Sequence, residues 1–395
     1  MAGRAPDPAP LLRPPDGTGP REPRRTQKPQ TPVRRRDRPL PAPVPDPLLP
    51  GSRRRARPRG GAARPGRRPD LRPARRPRDR VRLRSRPGAD VTAWVSAHLF
   101  HAGDLDELIT GLVAPLAADL AGDVDGLFFL RYWEGGPHLR LRLRPRDSRQ
   151  AGRVRRTIEA RARDHLDEHP SERRMTTGDY GALAARQARG ERLRDHDGRL
   201  HPNDGVEFVP YRREHRAYGD AACMDAVEAH FDASSRLALG VLAARPGQGR
   251  RAALGLAALT LSLAACSVAP ADLPAPTLPP DLDHRFLQRR DDLLSQTYQL
   301  WTDAPATPFT SAWSGSVLTL RDALVQNRCA PDDAGSPLSF MARAAPPERR
   351  RTAEVLLRCT HLLNNRLGIA ATAEHRLALL AVRTLSVLHA SGDLP

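Results

Sequence analysis

Cysteine is scarce in this sequence of 395 residues, and its spacing excludes two kinds of site. The four cysteines lie far apart in the chain, so no CxxC pair is available for a zinc site or for a redox-active dithiol. We therefore predict no metal and no cofactor. The spacing does not indicate a disulfide framework either, which favours a reducing cytoplasm as the compartment. The cysteines are Cys223, Cys266, Cys329 and Cys359.

Long hydrophobic runs are also absent. The most apolar stretch, Arg250–Cys266, contains a run of about 15 apolar residues, whereas a helix that crosses a bilayer needs roughly 20. We expect this stretch to form a buried helix of a protein that has no membrane contact.

Lysine occurs once, at Lys28, and arginine supplies almost all of the positive charge. Residues 1–90 hold 26 basic and 8 acidic side chains and 21 of the 40 prolines, whereas the remaining residues hold 38 basic and 37 acidic side chains. An Arg/Pro-rich segment without apolar periodicity cannot offset its ordering entropy, so we predict a disordered N-terminal tail. The Ala, Arg, Pro and Gly bias also fits translated upstream DNA, which leaves the native start open. Because the excess charge lies in the tail, we expect no direct nucleic-acid binding by the folded domain.

Residues 91–395 are predicted to form one α+β domain, a small antiparallel sheet with multiple covering helices. A strand over Thr92–Phe100 precedes a helix over Asp104–Ala121, whose apolar residues keep the 3–4 spacing of one buried face. A polar loop is expected from Glu168 to about Asp204. Further strands are predicted over Gly126–Glu134, His138–Pro145 and Val206–Val209, and helices over Arg149–Glu168, Ala221–Ala243, Arg251–Ser267, Arg285–Thr302, Phe309–Gln326, Pro347–Leu367 and Ala373–Ala390.

The strand after the Gly135-Gly136 turn carries the strongest local signal. Basic residues alternate with three leucines, so the leucines should face the core and the basic groups the other side of the sheet. Guanidinium groups in a row suit the recognition of carboxylates or peptide carbonyls. A solvated outer face is the alternative interpretation. The basic residues are His138, Arg140, Arg142 and Arg144, and Arg131 on the preceding strand shares a face with Trp133.

At these residues the sequence resembles the C-terminal, elimination-type domain of lantibiotic dehydratases and the thiopeptide-type bacteriocin biosynthesis proteins. Phe128–Arg144 (FFLRYWEGGPHLRLRLR) is similar to the family's RYxxxGPHLRLR motif. Trp94–Asp106, Val209–Leu239 and Cys359–Leu377 resemble, in the same order, the opening strand, the YGG…HFxxSSxLAL stretch and the HxxxNRLG segment. Four similar segments in the same order indicate the family far more specifically than one segment alone. The glutamylation domain of the full-length enzymes is absent, so the chain resembles a free-standing subunit.

The resemblance implies a peptide-tailoring reaction of the lyase type. A separate glutamylation-domain protein would esterify Ser or Thr of a ribosomal precursor peptide, and this domain would bind leader and core and eliminate glutamate to give dehydroamino acids. A base must take the α-proton, and cations must hold the departing carboxylate. The resemblance places catalysis on Arg131, His138, Arg140, Arg142, Glu214 and His361, and substrate binding on Arg144, Tyr218, Ser235, Asn365 and Arg366.

Two positions depart from the eliminating members. Ala217 stands where many of them carry arginine before the YGG tyrosine, Asp220 replaces the second glycine, and Arg216 lies one position away. This favours two alternatives: a formal aza-[4+2] cycloaddition that joins two dehydroalanines into the six-membered ring of a thiopeptide, or a non-catalytic subunit that binds the precursor. For Tyr218 and Ser235, helix packing is the alternative to a role in peptide binding. The oligomeric state stays open.

Overall fold

The computed structural model describes residues 94–172, 174–191, 196–333 and 335–394. Four strands form an antiparallel sheet in the order β2-β3-β1-β4. The strands are β1 (Val95–Phe100), β2 (Val124–Tyr132), β3 (His138–Pro145) and β4 (Gly205–Phe208). The predicted strands are therefore confirmed, with ends that differ by up to three residues.

The first helical segment changes from α-helical to π-helical winding and back along its length. It comprises α1 (Leu105–Leu108), a π-helical turn (Ile109–Val113) and α2 (Ala114–Asp119). Pro115 has no N–H to donate to the carbonyl of Gly111, and its ring crowds that carbonyl, which favours the wider turn. Asp104 caps α1, as its side chain accepts a hydrogen bond from the Asp106 amide.

Among the remaining described helices, those between residues 151 and 191 lie between β3 and β4 in the chain, and those from residue 215 onward form the helical half of the core. Asp220 caps the longest of them by accepting a hydrogen bond from the Cys223 amide. The helices are α3 (Ala151–Glu168), α4 (Thr177–Glu191), α5 (His215–Tyr218), α6 (Ala221–Ala243), α7 (Gln248–Ala265), α8 (Pro280–Gln288), α9 (Arg290–Thr302), α10 (Pro308–Gln326), α11 (Arg350–Arg366) and α12 (Ala371–Ala390).

The predicted α+β class is confirmed, and two element predictions are wrong. The region expected to be a polar loop up to Asp204 contains α4, whose Tyr180, Ala184 and Ala188 pack with Trp133 in a small separate cluster. The single helix predicted over Arg285–Thr302 is two helices, because the chain turns at Arg289, where φ is −118°. The prediction of a disordered tail lies outside the described residues.

The outer edge of β2 is covered by side chains rather than by another strand. From α6, Asp232 accepts a hydrogen bond from the Leu127 amide at 2.8 Å, and Ser235 accepts one from the Phe129 amide at 3.4 Å. From α11, Asn365 bonds both the amide and the carbonyl of Arg131, at 2.9 and 3.0 Å, and Arg366 Nε donates to the Phe129 carbonyl at 3.0 Å. An edge strand presents unpaired backbone groups that need such partners. These contacts join the sheet to the helical half.

In the part of the chain that the structure describes, no helix is long and apolar enough to span a membrane. Arg250–Cys266 lies instead mostly within α7, which packs against α10, α11 and α12.

Candidate functional site

The alternation predicted for β3 is confirmed. Leu139, Leu141 and Leu143 are fully buried on one face, and the basic residues lie on the other. Strand register places β1 and β2 residues beside them, since Arg142 is opposite Ser96 and Phe128, and Arg140 is opposite His98. We name this surface the basic sheet face. It comprises His138, Arg140, Arg142 and Arg144 of β3, Ser96, His98 and Phe100 of β1, and Phe128 and Tyr132 of β2.

Arg131 does not belong to the basic sheet face. Its register partner is Leu139, so it lies on the leucine face. Its guanidinium donates to the Arg366 carbonyl through Nε at 3.2 Å and forms an ion pair with Asp106. Arg251 pairs with the same carboxylate at 2.5 Å and donates to the Leu367 carbonyl at 3.0 Å. The two arginines thus bind the carbonyls at the end of α11, which is a structural use of their charge.

Asp106 carries the counter-charge of this cluster. Burial acts to raise the pKa of Asp106, but the hydrogen bonds from Arg251 and Arg131 outweigh it and hold the pKa below its usual value. The carboxylate is therefore ionised at neutral pH.

The four basic residues of β3 differ in how their charge is used. Arg144 Nε donates to Asp125 at 2.6 Å, and Arg140 lies 3.6 Å from Glu134 with its guanidinium 3.3 Å from the centre of the Tyr132 ring. Arg142 is only 8% exposed and has no ion pair with any described residue. Its guanidinium lies over aromatic rings instead, 4.7 Å from the centre of Tyr211 and 5.3 Å from that of Phe128. Burial in this environment lowers the pKa of Arg142 to about 10, so it stays charged at neutral pH.

Several polar atoms of the basic sheet face are buried without a partner. Among the described residues no hydrogen bond reaches Ser96 Oγ, His138 Nε2, Arg140 Nε or Arg142 Nε. A buried polar group left unpaired costs about 1–3 kcal/mol, so folded proteins rarely keep several together. These four atoms belong to three neighbouring register pairs between β1 and β3, namely Ser96 with Arg142, His98 with Arg140, and Phe100 with His138. A ligand that reached this face could supply hydrogen-bond partners for these atoms.

His138 faces this surface in its neutral form. Burial lowers its pKa to about 4, and the positive charges of Arg140 and Arg142 add to the effect. Nδ1 lies 2.8 Å from the Gly136 carbonyl and so carries the proton that it donates there. Nε2 is left as a hydrogen-bond acceptor. The neighbouring His98 ring stacks on His138 at 4.8 Å, and burial lowers the pKa of His98 to about 2.

Glu214 lies beside a separate cavity of about 390 Å³. Its side chain is 58% exposed, and its carboxylate lies 3.7 Å from the guanidinium of Arg358 on α11. Ala217 contributes only an apolar wall, and Arg216 on the rim is exposed. Tyr218, the residue after Ala217, is fully buried, and burial raises the pKa of its hydroxyl well above the usual value. The cavity is lined by Arg213, Glu214, His215, Arg216, Ala217, Asp333 and Arg358.

His361 is paired with a buried carboxylate. Its Nδ1 lies 2.7 Å from Glu374 Oε2 on α12, and Asn364 donates to the other oxygen of Glu374 at 2.8 Å. This orients the ring and directs Nε2 away from Glu374, which is the arrangement of a general base. The described contacts of His361 do not include the basic sheet face.

The predicted site residues therefore do not form a single site. His138, Arg140, Arg142 and Arg144 share the basic sheet face. Glu214 lines the cavity, Tyr218 is buried under the guanidinium of Arg358, and His361 pairs with Glu374. Ser235, Asn365 and Arg366 bind the backbone of β2, and Arg131 binds the end of α11. Sequence reasoning missed Ser96, His98, Tyr132 and Tyr211, because only the strand register and the fold bring them beside β3.

The sequence of residues 94–385 matches the profile described as the lantibiotic biosynthesis dehydratase C-terminal domain. The chain belongs to this family. No curated protein matches the sequence of the chain significantly.

Two solved structures show the same fold as this member of the family. The pyridine synthase TbtD from thiomuracin biosynthesis has 17% identity and a TM-score of 0.57, over 75% of this chain and 99% of TbtD. TsrL has 19% identity and a TM-score of 0.51, over 76% of this chain and 95% of TsrL. The tRNA-dependent lantibiotic dehydratase MibB from Microbispora sp. 107891 matches with 18% identity and a TM-score of 0.46, over 78% of this chain and 29% of MibB.

Proposed function

We propose that this protein binds a ribosomally made precursor peptide on the basic sheet face and joins two of its dehydroalanines by a formal aza-[4+2] cycloaddition. The observation that supports this most is the group of unpartnered polar atoms of Ser96, His138, Arg140 and Arg142. Peptide amides and carbonyls supply the partners that these atoms lack.

The chemistry of the face suits a reaction that depends on positioning. The cycloaddition forms two C–C bonds: the CH2 carbon of one dehydroalanine and the carbon of the amide carbonyl on its N-terminal side bond to the two alkene carbons of the other. The N–H proton of that amide must move to its carbonyl oxygen, and the ring becomes a pyridine when water and the leader, as its amide, are lost. The acceptor Nε2 of His138 can bind that amide N–H, and the Arg142 guanidinium can polarise the carbonyl. Holding two reacting groups in register supplies much of the rate enhancement of such a step. The fold also supports the proposal, because the structural match with the pyridine synthase TbtD extends over 99% of TbtD.

Glutamate elimination is the second candidate, and the His361–Glu374 pair favours it. The pair leaves His361 Nε2 free to take an α-proton. Two other features weigh against elimination. Ala217 is buried and apolar where many eliminating members carry arginine, and the charge of Arg131 is already paired with Asp106. A departing carboxylate would therefore meet fewer free cations.

Intact-mass analysis of the precursor, coexpressed with its glutamylating partner, tests both reactions. If the peptide is fully dehydrated without this chain, and adding the chain releases the leader and gives a macrocycle, the protein is a cyclase. If glutamyl adducts persist without it and become dehydroamino acids with it, the protein is the eliminase. An unchanged mass with binding retained would identify a binding subunit.

Two variants assign the reaction to a surface. Arg142→Met should abolish the mass change, whereas Arg149→Met, at an arginine that is 89% exposed, should leave it intact. His361→Ala should stop elimination and spare cyclisation. Loss of cyclisation in His361→Ala with Arg142→Met fully active would contradict the assignment to the basic sheet face.

A further inference from the structure

The two edges of the sheet differ in how their backbone groups are satisfied. The edge at β2 is covered by α6 and α11, as described above. At the other edge, the Val209 amide donates to the Ser96 carbonyl at 3.2 Å, and Glu207 is opposite His98. Backbone groups in an antiparallel pair alternate in direction, so those of Val206 and Phe208 point away from β1. Over the described ranges, no hydrogen bond reaches the amide or carbonyl of either residue.

We propose that an extended segment of the precursor peptide adds to β4 as a fifth strand. This proposal rests on the proposed function and identifies where the peptide is held. The backbone of β4 is accessible, since all four of its residues are partly exposed. A fifth strand would lie about 4.8 Å from β4 and would direct alternate side chains to the side of His98 and Arg140.

Charge at this edge favours an acidic peptide. Arg155 on α3 is exposed, and its guanidinium lies 4.2 Å from the centre of the Phe208 ring without an ion pair to any described residue. The arginines of the basic sheet face add positive charge on the opposite face of the sheet from Arg155. The N-terminal segment of this chain, with 26 basic and 8 acidic side chains in residues 1–90, matches this edge poorly.

The backbone contact can be tested at Val206. Val206→Pro removes the outward amide and leaves the bonds between β4 and β1 in place, because edge strands tolerate proline there. Val206→Thr keeps the amide with a side chain of similar shape and is the matched control. A fluorescein-labelled peptide with the sequence of the precursor's leader reports binding by anisotropy. We expect affinity to fall about tenfold in Val206→Pro and less than twofold in Val206→Thr.

The outcomes separate this proposal from the proposed function. Equal affinity in the two variants would overturn the fifth strand and leave the function untouched. If the wild-type protein binds no leader, both fail. If deletion of residues 1–90 abolishes the effect of Val206→Pro, the chain's own N-terminal segment occupies the edge and the proposal is wrong. If Val206→Pro does not fold, hydrogen exchange of the wild-type protein decides: the leader should slow exchange at Val206 and Phe208, and unchanged rates would overturn the proposal.

Discussion

Asn365 gives the sharpest test of how the sheet is held to the helices. Its side chain bonds both the amide and the carbonyl of Arg131, at 2.9 and 3.0 Å, so Asn365→Ala leaves two backbone groups of β2 without partners. Each unpaired buried group costs about 1–3 kcal/mol. Because Asn365 is only partly buried, water can reach the gap, and we expect a total loss of about 2 kcal/mol in the free energy of unfolding.

Urea unfolding followed by circular dichroism measures this loss. Asn327→Ala is the matched control, since Asn327 also donates from its side-chain amide, to the Ala323 carbonyl at 2.9 Å, but at the exposed end of α10. The control should stay within about 0.5 kcal/mol of the wild-type protein. If Asn365→Ala is equally neutral and instead weakens precursor binding, Asn365 is the substrate contact that the family resemblance implies, and the structural role is wrong.

Three further substitutions test the charged and titrating groups. His138 has a folded pKa of about 4 and an unfolded value near 6.5, so the folded protein loses stability as pH falls from 6.5 toward 4. His138→Phe should reduce the difference in unfolding free energy between pH 7 and pH 4 by about 3 kcal/mol, and an unchanged difference would refute the neutral state of His138. Asp106→Asn should lower stability by about 1–2 kcal/mol at pH 7, and this deficit should shrink in strong acid, where the wild-type carboxyl is also protonated. In thermal unfolding, Arg142→Met should keep the melting temperature within about 4 °C of the wild type, whereas a larger fall would make Arg142 a structural residue.

The elements that the sequence predicts are those with a strong local period. The leucines of β3 identify a half-buried strand, and the helix predicted over Ala221–Ala243 has the same bounds as α6. Helix α4 lacks such a signal, because two of its buried residues, Ala184 and Ala188, are small, and the partner of Tyr180, Trp133, is distant in sequence.

The candidate site was predictable only in part, because neighbours across a sheet depend on register. The basic residues of β3 are visible in the sequence, but the position of Ser96 beside Arg142 follows from the pairing of β1 with β3. Arg131 shows the converse problem. Its motif points to substrate binding, whereas its contacts with Asp106 and the Arg366 carbonyl come from elements 25 and 235 positions away. A local sequence pattern carries no information about contacts between residues so far apart in the chain.

The covered edge of β2 also determines the order in which the protein can be completed during synthesis. The side chains that bind this edge are 105 to 237 positions further along the chain than the backbone groups that they satisfy. The ribosome therefore releases β2 long before Asn365 and Arg366 exist, and the strand has an open edge throughout that interval. A nascent chain that stops before α11 retains that open edge, so shortened products should aggregate through β2 rather than fold as a smaller domain.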